Sequence, residues 1–273
     1  MRRTALAIAL ALLVALAGCG DQPPGETAVE TTGATTGAPP APTTAPNPTA
    51  ERVAPGVTTE GVRDAFALAD AHRAALSNTT FTVAETTTVR YVNGTLAMRA
   101  DSWMRVNATA PRVHTSTDVR GPLAFALNSR PGHSEYWGNE TAALVRWNTT
   151  RGIESGEGFT SAAARVQYAT RWTNLVSLLV RSETAVLAND SGNGARVVSD
   201  SLGEYVDAGG RYANATNATV ALRVTPGGFV PSYTVTYHTV VAGESVVVTR
   251  SVAFTNVGDT TVERPSWVGD AAA

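Results

Sequence analysis

The chain has 273 residues, with 21 basic and 23 acidic side chains and a formal net charge of −2. Every basic residue is arginine and no basic run occurs, so the sequence predicts no nucleic-acid partner. A single cysteine excludes an internal disulfide, so stability outside the cell must come from packing.

An apolar leader opens the chain. An arginine pair at positions 2–3 precedes an unbroken apolar run at 5–17, which suits a signal peptide, whereas a bilayer-spanning helix needs about 20 residues. The tetrapeptide LAGC at 16–19 predicts a lipobox, which makes 1–18 a lipoprotein signal peptide and Cys19 the lipidated first residue of the mature protein. We therefore expect a lipid anchor on the extracytoplasmic face of the cell membrane, with Sec and twin-arginine export both open.

The segment after the lipobox has the composition of a tether. Residues 20–56 are rich in proline, threonine and alanine and contain almost no large apolar side chain, so they cannot bury enough surface to fold. The sequence predicts a lipidated, disordered tether over 19–56, whose threonines are either plain spacer or O-glycosylated. Residues 57–273 are predicted to form one domain with a sizeable core.

Asn-x-Ser/Thr sequons are more frequent in this chain than its composition predicts. The excess indicates N-glycosylation of a surface protein and places these asparagines at exposed turns or strand ends. Threonine-rich hairpins that generate sequons by themselves are the alternative. The candidate glycosylation sites are Asn78, Asn93, Asn107, Asn139, Asn148, Asn189, Asn214 and Asn217.

The predicted domain begins with an amphipathic helix. Thr59 is placed to cap a helix of about eighteen residues that ends near Ser77. His72 lies on this helix and is interpreted as a packing or surface residue rather than a ligand. The apolar side of the helix is predicted to carry Val62, Phe66, Ala69 and Leu76.

Alternating apolar and polar residues predict a series of antiparallel strands. The strongest turn signal is Asn93-Gly94, which joins strands at 81–92 and 96–106 into a hairpin. One face of the first strand is predicted to carry Phe81, Val83, Thr87, Val89 and Tyr91. Further strands are predicted at 112–120, 134–137, 142–147, 195–199, 204–208, 218–225, 232–241, 245–256 and 261–264.

Between the two groups of strands, a Gly-rich turn at 152–158 and one long helix over 159–187 are predicted. Arg165, Arg171 and Arg181 interrupt the apolar stripe of this helix, which fits either a helix that covers the sheet or one that lies on a membrane surface. Trp267 is predicted to anchor an irregular C-terminal tail on the domain.

The sequence contains no recognisable metal or cofactor motif. It has neither a nucleophile elbow nor a P-loop nor a dinucleotide fingerprint. The histidines lie far apart and lack the spacing of metal ligands. They are His72, His114, His133 and His238.

Two short acidic segments contain candidate site residues. Glu154 and Glu157 fit either a cation-binding pair or a solvated loop. Ser134 lies between His133 and Glu135, and alternation along a strand sends neighbours to opposite faces, so these three residues do not form a triad. The sequence therefore predicts no catalytic residue, no metal and no cofactor.

The order of helix, strands, long helix and strands behind a lipidated leader resembles the LolA/LppX-like superfamily of lipoprotein and lipid carriers. The chain is also similar to haloarchaeal surface lipoproteins, on a helix-borne His-x-x-x-Leu at 72–76 followed by Asn78 and Phe81, and on a final Arg-Pro-x-Trp at 264–267. The resemblance implies an α+β fold, in which a large curved antiparallel sheet forms a half-barrel and two main helices cover an apolar cavity.

Two functions follow from these observations and stay open at this stage. The first is a membrane-anchored, non-enzymatic lipoprotein that binds a lipid or other apolar ligand in the half-barrel. The alternative is a structural or protein-interaction lipoprotein of the envelope with a filled core. The expected partners are the membrane, through the lipid on Cys19, and an apolar small molecule or other envelope proteins.

Overall fold

The computed structural model describes residues 50–149, 152–190, 194–201 and 215–271. The signal peptide, Cys19 and most of the predicted tether therefore lie outside the described residues.

Three short strands precede the first helix. Strand β1 (Arg52–Ala54) pairs with β2 (Val57–Thr58), and β2 pairs with β3 (Gly61–Val62). Ala54 and Val57 are 2% and 1% exposed, and Gly56 adopts the positive φ of the turn between them. The prediction that residues up to 56 belong to a disordered tether is therefore wrong for 52–56, because this apolar turn is part of the folded domain.

The main sheet consists of eleven antiparallel strands. These are β4 (Thr80–Tyr91), β5 (Leu96–Asn107), β6 (Arg112–Arg120), β7 (Gly132–Gly138), β8 (Ala143–Thr149), β9 (Gly152–Glu157), β10 (Glu183–Asp190), β11 (Gly194–Ser201), β12 (Thr216–Val224), β13 (Ser232–Val241) and β14 (Glu244–Thr255). Their order is β10-β11-β12-β13-β14-β4-β5-β6-β7-β8-β9. In the described part of the chain β9 and β10 are not paired with each other, so the sheet is open.

The first helix, α1 (Ala65–Leu76), is shorter than predicted and begins later. Its N-cap is Asp64, whose Oδ1 accepts a hydrogen bond from the amide of Ala67 at 2.9 Å. The predicted cap at Thr59 is wrong because residues 57–62 pair as β2 and β3. The buried side of α1 consists of Ala65, Leu68, Ala69, His72 and Leu76, whereas Phe66 is half exposed.

The long helix predicted over 159–187 is two helices and a strand. Helix α2 (Ala162–Ala169) and helix α3 (Trp172–Leu179) are separated at Arg171, which has φ of 55°. That left-handed conformation is rare for a residue other than glycine, and it ends one helix and redirects the chain into the next. Strand β10 then begins at Glu183.

Four further predictions have different outcomes. The glycine-rich segment 152–158 is strand β9 for most of its length, and no strand forms at 261–264 in the described residues. The strand predicted at 204–208 lies outside the described residues. The C-terminal tail is anchored by Trp267 as predicted, and it ends in the short helix α4 (Trp267–Ala271) rather than in an irregular segment.

The core lies between the sheet and helices α1 and α3. Phe81, Leu68 and Leu175 are among its largest fully buried side chains. The side chain of Trp172 on α3 donates to Asp70 of α1 at 2.7 Å, which ties the two helices together. The described chain is thus a mixed α+β fold with three helices of eight residues or more, one more than the two main helices predicted.

Candidate functional site

The two faces of the main sheet have different neighbours. We call the face that contacts helices α1 and α2 the inner face. On it, the ring of Phe254 lies 4.7 Å from the ring of His72, and the Arg165 guanidinium carbon lies 3.8 Å above the ring of Tyr136. Side chains alternate along a strand and cross-strand partners share a face, so the strand register assigns every other residue to the inner or the outer face.

A row of polar side chains crosses the middle of the inner face. Its members are cross-strand partners on β4, β5, β6 and β7, namely Glu85, Ser102, Thr117 and Ser134. All of them are half-buried. The parallel row of Phe81, Val106 and Val113 is fully buried, at 0% exposure. The packing of the inner face is therefore incomplete along this polar row.

The polar row ends at a cluster of charged side chains between β4, β14 and the break between α2 and α3. Glu85 accepts a hydrogen bond from Arg171 Nη2 at 2.6 Å with one carboxylate oxygen, and its other oxygen lies 2.8 Å from Arg250 Nε. The side chains of Glu85, Arg250 and Arg171 are 16%, 13% and 5% exposed. Two guanidinium groups thus share one carboxylate in a largely buried place.

Part of the hydrogen-bonding capacity of this cluster is unused. Nε and Nη1 of Arg171 have no hydrogen-bond partner among the described residues. The hydroxyl of Tyr233 also has none there. Tyr233 is 2% exposed, and burial raises its pKa to about 12, although the positive charges of Arg250 and Arg171 act in the opposite direction. The Tyr168 ring lies against the Arg171 guanidinium, 4.4 Å from its carbon, and so supports that side chain from one side.

The sequence contains a signal for this cluster. Glu85 lies between Val83 and Thr87 in the inward-facing series of β4, and Arg250 lies between Val248 and Val252 in that of β14. A charged residue at an inward position of an alternating strand requires a partner. Arg171 interrupts the apolar stripe of the predicted helix, but the stripe alone does not predict its pairing with Glu85, 86 positions away.

Clefts lie on both faces of the sheet. At the β6–β8 end of the polar row, a cleft of about 190 Å³ is lined in part by Thr117, Val119, Ser134 and Trp147. A wider cleft of about 650 Å³ lies on the outer face at the β10–β13 end, between Ala185, Leu187, Thr219 and Thr236.

A second polar cluster lies on the outer face around Glu135. This carboxylate accepts hydrogen bonds from His133 Nε2 at 3.1 Å, from Arg146 Nη2 at 3.3 Å and from the indole of Trp267. Burial acts to raise the pKa of Glu135, but the hydrogen bonds from His133 and Trp267 lower it below its usual value. Hydrogen bonding to Glu135 in turn raises the pKa of His133. Ser134 lies on the inner face, opposite to His133 and Glu135.

The remaining predicted sites are distributed as follows. Cys19 and Asn214 lie outside the described residues, and the side chain of Asn189 is not described. Asn78, Asn93, Asn148 and Asn217 are exposed, and Asn107 and Asn139 are half-buried.

Three of the sequon asparagines have a role in their own turns. The side-chain oxygens of Asn93, Asn107 and Asn139 accept hydrogen bonds from backbone amides two residues further on, at 2.9 to 3.1 Å. This is the turn chemistry expected of asparagine, so these three residues have a structural role of their own in the hairpins.

Two findings concern metals and membranes. The described residues contain no group of three or more His, Cys, Asp or Glu side chains placed to hold a metal ion. Glu154 and Glu157 belong to strand β9, where they point to opposite faces, and Glu154 accepts a hydrogen bond from the indole of Trp147 at 3.2 Å. None of the helices in the described part of the chain has the length and apolar character needed to cross a bilayer.

Neither a protein-family model nor a curated protein matches this sequence. Among solved structures, a DUF1329 family protein from Desulfovibrio piger is 8% identical, with a TM-score of 0.29, over 77% of this chain and 97% of that one. A domain described as an outer membrane lipoprotein-sorting protein from Vibrio parahaemolyticus is 6% identical, with a TM-score of 0.26, over 77% and 99%.

Proposed function

We propose that this protein is a membrane-anchored, extracytoplasmic, non-enzymatic lipoprotein that binds a lipid or other partly apolar small ligand along the inner face of its sheet. In this proposal the eleven strands curve into a half-barrel, the inner face is its concave side, and the lipid on Cys19 holds the domain at the membrane surface.

The observation that carries the proposal is the half-buried polar row. Fully buried rows on the inner face have no room for a ligand, whereas Ser102, Thr117 and Ser134 are small and retain accessible surface. From β7 to β4 the row crosses three strand spacings, about 14 Å in total. A long, narrow molecule fits such a groove better than a compact one. The mixture of hydroxyl groups with Ala100 and Val119 in the adjoining row suits an amphiphile.

Native mass spectrometry of the full chain tests this proposal. We expect a small molecule to remain bound to the wild-type protein under gentle ionisation, and we expect Thr117→Phe to lose it because the ring fills the groove. Thr88→Phe is the matched control, since Thr88 is an equally half-buried threonine on the outer face of β4. Equal ligand retention by both variants would contradict binding along the polar row.

A structural role in the envelope is the second candidate function. It is favoured by the burial beneath helix α1, where Leu68, Leu76 and Phe81 are 0% exposed. In this case the protein meets other envelope proteins through its surface. The absence of any bound molecule in repeated preparations would favour this function over ligand binding.

The membrane anchor needs a test of its own. Cys19→Ser removes the only thiol of the chain, so we expect the protein to leave the membrane fraction or to keep its signal peptide and run at a larger size. An unchanged membrane fraction with unchanged size would show that the lipid on Cys19 is not the anchor.

A further inference from the structure

We propose that Arg171 and Arg250, together with the hydroxyl of Tyr233, bind the anionic end of the ligand, a phosphate or carboxylate group, at the inner end of the polar row. This inference rests on the proposed function and specifies the chemistry of its ligand.

The first support is the character of the donors. The positively charged Arg171 side chain is only 5% exposed, and Arg250, which shares the carboxylate of Glu85 with it, brings a second guanidinium group to the same place. A buried cation whose N–H groups are only partly satisfied is costly, and an anion that accepts hydrogen bonds from them removes part of that cost.

The second support is geometric. Arg171 has two nitrogen atoms, Nε and Nη1, without a partner in the described residues, and the buried Tyr233 hydroxyl also lacks one. Buried donors are nearly always paired in folded proteins, so donors of two side chains left unpaired at one place indicate a missing acceptor. Phosphate and carboxylate oxygens are the acceptors that guanidinium groups prefer.

The third support is access. Glu85 and Arg250 keep 16% and 13% of their side-chain surface exposed, and Glu85 is the direct cross-strand neighbour of the half-buried Ser102. The more exposed side of the cluster therefore adjoins the polar row, whereas Arg171 and Tyr233 are only 5% and 2% exposed. The other end of the ligand would lie near Trp147, where the small cleft opens to solvent.

Calorimetric titration of the full chain at pH 7 provides the test. The probes are dodecyl phosphate below its micellar concentration, the neutral dodecyl maltoside, and inorganic phosphate alone. We expect dodecyl phosphate to bind more tightly than dodecyl maltoside. Arg171→Gln should lower the affinity for dodecyl phosphate about tenfold or more, because hydrogen bonds to charged groups are stronger than those between neutral groups. The affinity for dodecyl maltoside should not change.

A second variant of the site and a control variant complete the test. Tyr233→Phe preserves the shape of the core and removes one hydrogen-bond donor, so it should lower the affinity for dodecyl phosphate about threefold. This variant keeps the test valid if Arg171→Gln does not fold. Arg223→Gln removes an exposed arginine from the outer face and should change nothing.

Each outcome has a defined meaning. If inorganic phosphate alone binds with the same dependence on Arg171, the anion site is supported with a free anion as its source, and the proposed amphiphile is contradicted. If both amphiphiles bind equally and Arg171→Gln alters neither, the anion site is wrong and the proposed function stands. If no probe binds, both are wrong.

Discussion

Two buried polar groups on the inner face differ in how their hydrogen-bonding atoms are satisfied. His72 is 0% exposed, and both its ring nitrogens have partners, the Thr170 carbonyl at 2.9 Å from Nε2 and the Val230 amide at 3.1 Å from Nδ1. In the cluster of Glu85, Arg171, Arg250 and Tyr233, by contrast, buried donors remain without partners in the described residues.

The difference separates a structural polar residue from a candidate binding residue. The partners of His72 define a neutral ring with the proton on Nε2, because a carbonyl only accepts and an amide only donates. Such a ring joins α1 to the end of α2 and to the loop before β13, and it has no capacity left for a ligand. The cluster has that capacity, so substitutions at the two places should act on different properties.

The largest effect is expected from His72→Ala. It deletes a buried ring that stacks on Phe229 and leaves the Thr170 carbonyl and the Val230 amide unpaired, so the free energy of unfolding should fall by about 4 kcal/mol. Urea unfolding followed by circular dichroism measures the loss. His238→Ala, at an exposed position, should have almost no effect. Similar losses of unfolding free energy in both variants would show that the contacts of His72 do not stabilise the fold.

A pH dependence of stability follows from the same ring. Burial lowers the pKa of His72 to about 4 from its ordinary 6.5, although the hydrogen bond to Thr170 acts in the opposite direction. The unfolded chain therefore takes up this proton first, and about 3 kcal/mol of stability that is present above pH 6.5 is lost as the pH falls to 4.

Thermal melts between pH 7 and pH 4 should show this loss in the wild type and a smaller one in His72→Gln, which cannot titrate. His133 contributes with the opposite sign, since its raised pKa stabilises the fold below pH 6.5 and this contribution disappears as the pH rises through the folded value. Parallel pH profiles for wild type and His72→Gln would contradict the assignment to His72.

Local sequence patterns predicted a large part of this fold. The prediction failed where the conformation of a residue depends on residues far away in the sequence. The hairpin at Asn93-Gly94 and the strand at 232–241 formed as predicted because turn chemistry and alternation are local signals. The break at Arg171 was missed because nothing in the local apolar pattern marks its left-handed backbone, and its side chain pairs with Glu85, 86 positions away. The candidate site depends on that same pairing.

Glu85→Gln breaks the cluster at its centre. It leaves two guanidinium groups without their shared carboxylate, so the free energy of unfolding should fall by about 2 kcal/mol, less than for a fully buried pair because Glu85 is 16% exposed. Asp101→Asn removes the carboxylate from an exposed Arg99 pair on the outer face and should cost less than about 1 kcal/mol. Dodecyl phosphate should restore part of the loss in Glu85→Gln, because it supplies the missing negative charge. A loss that dodecyl phosphate leaves untouched would indicate that the cluster is purely structural.

The smallest effect on stability is expected from Tyr233→Phe. Because the Tyr233 hydroxyl has no partner among the described residues, its removal should leave the stability of the ligand-free protein unchanged or raise it by up to about 1 kcal/mol. Tyr136→Phe is the matched control on the same face, since the Tyr136 hydroxyl donates to the Thr160 carbonyl at 2.9 Å and its loss should lower stability by about 1 kcal/mol. Opposite signs in urea titrations of the two variants would mark Tyr233 as a donor held for a ligand. A clear loss of stability in Tyr233→Phe would instead mean that its hydroxyl already has a partner within the protein.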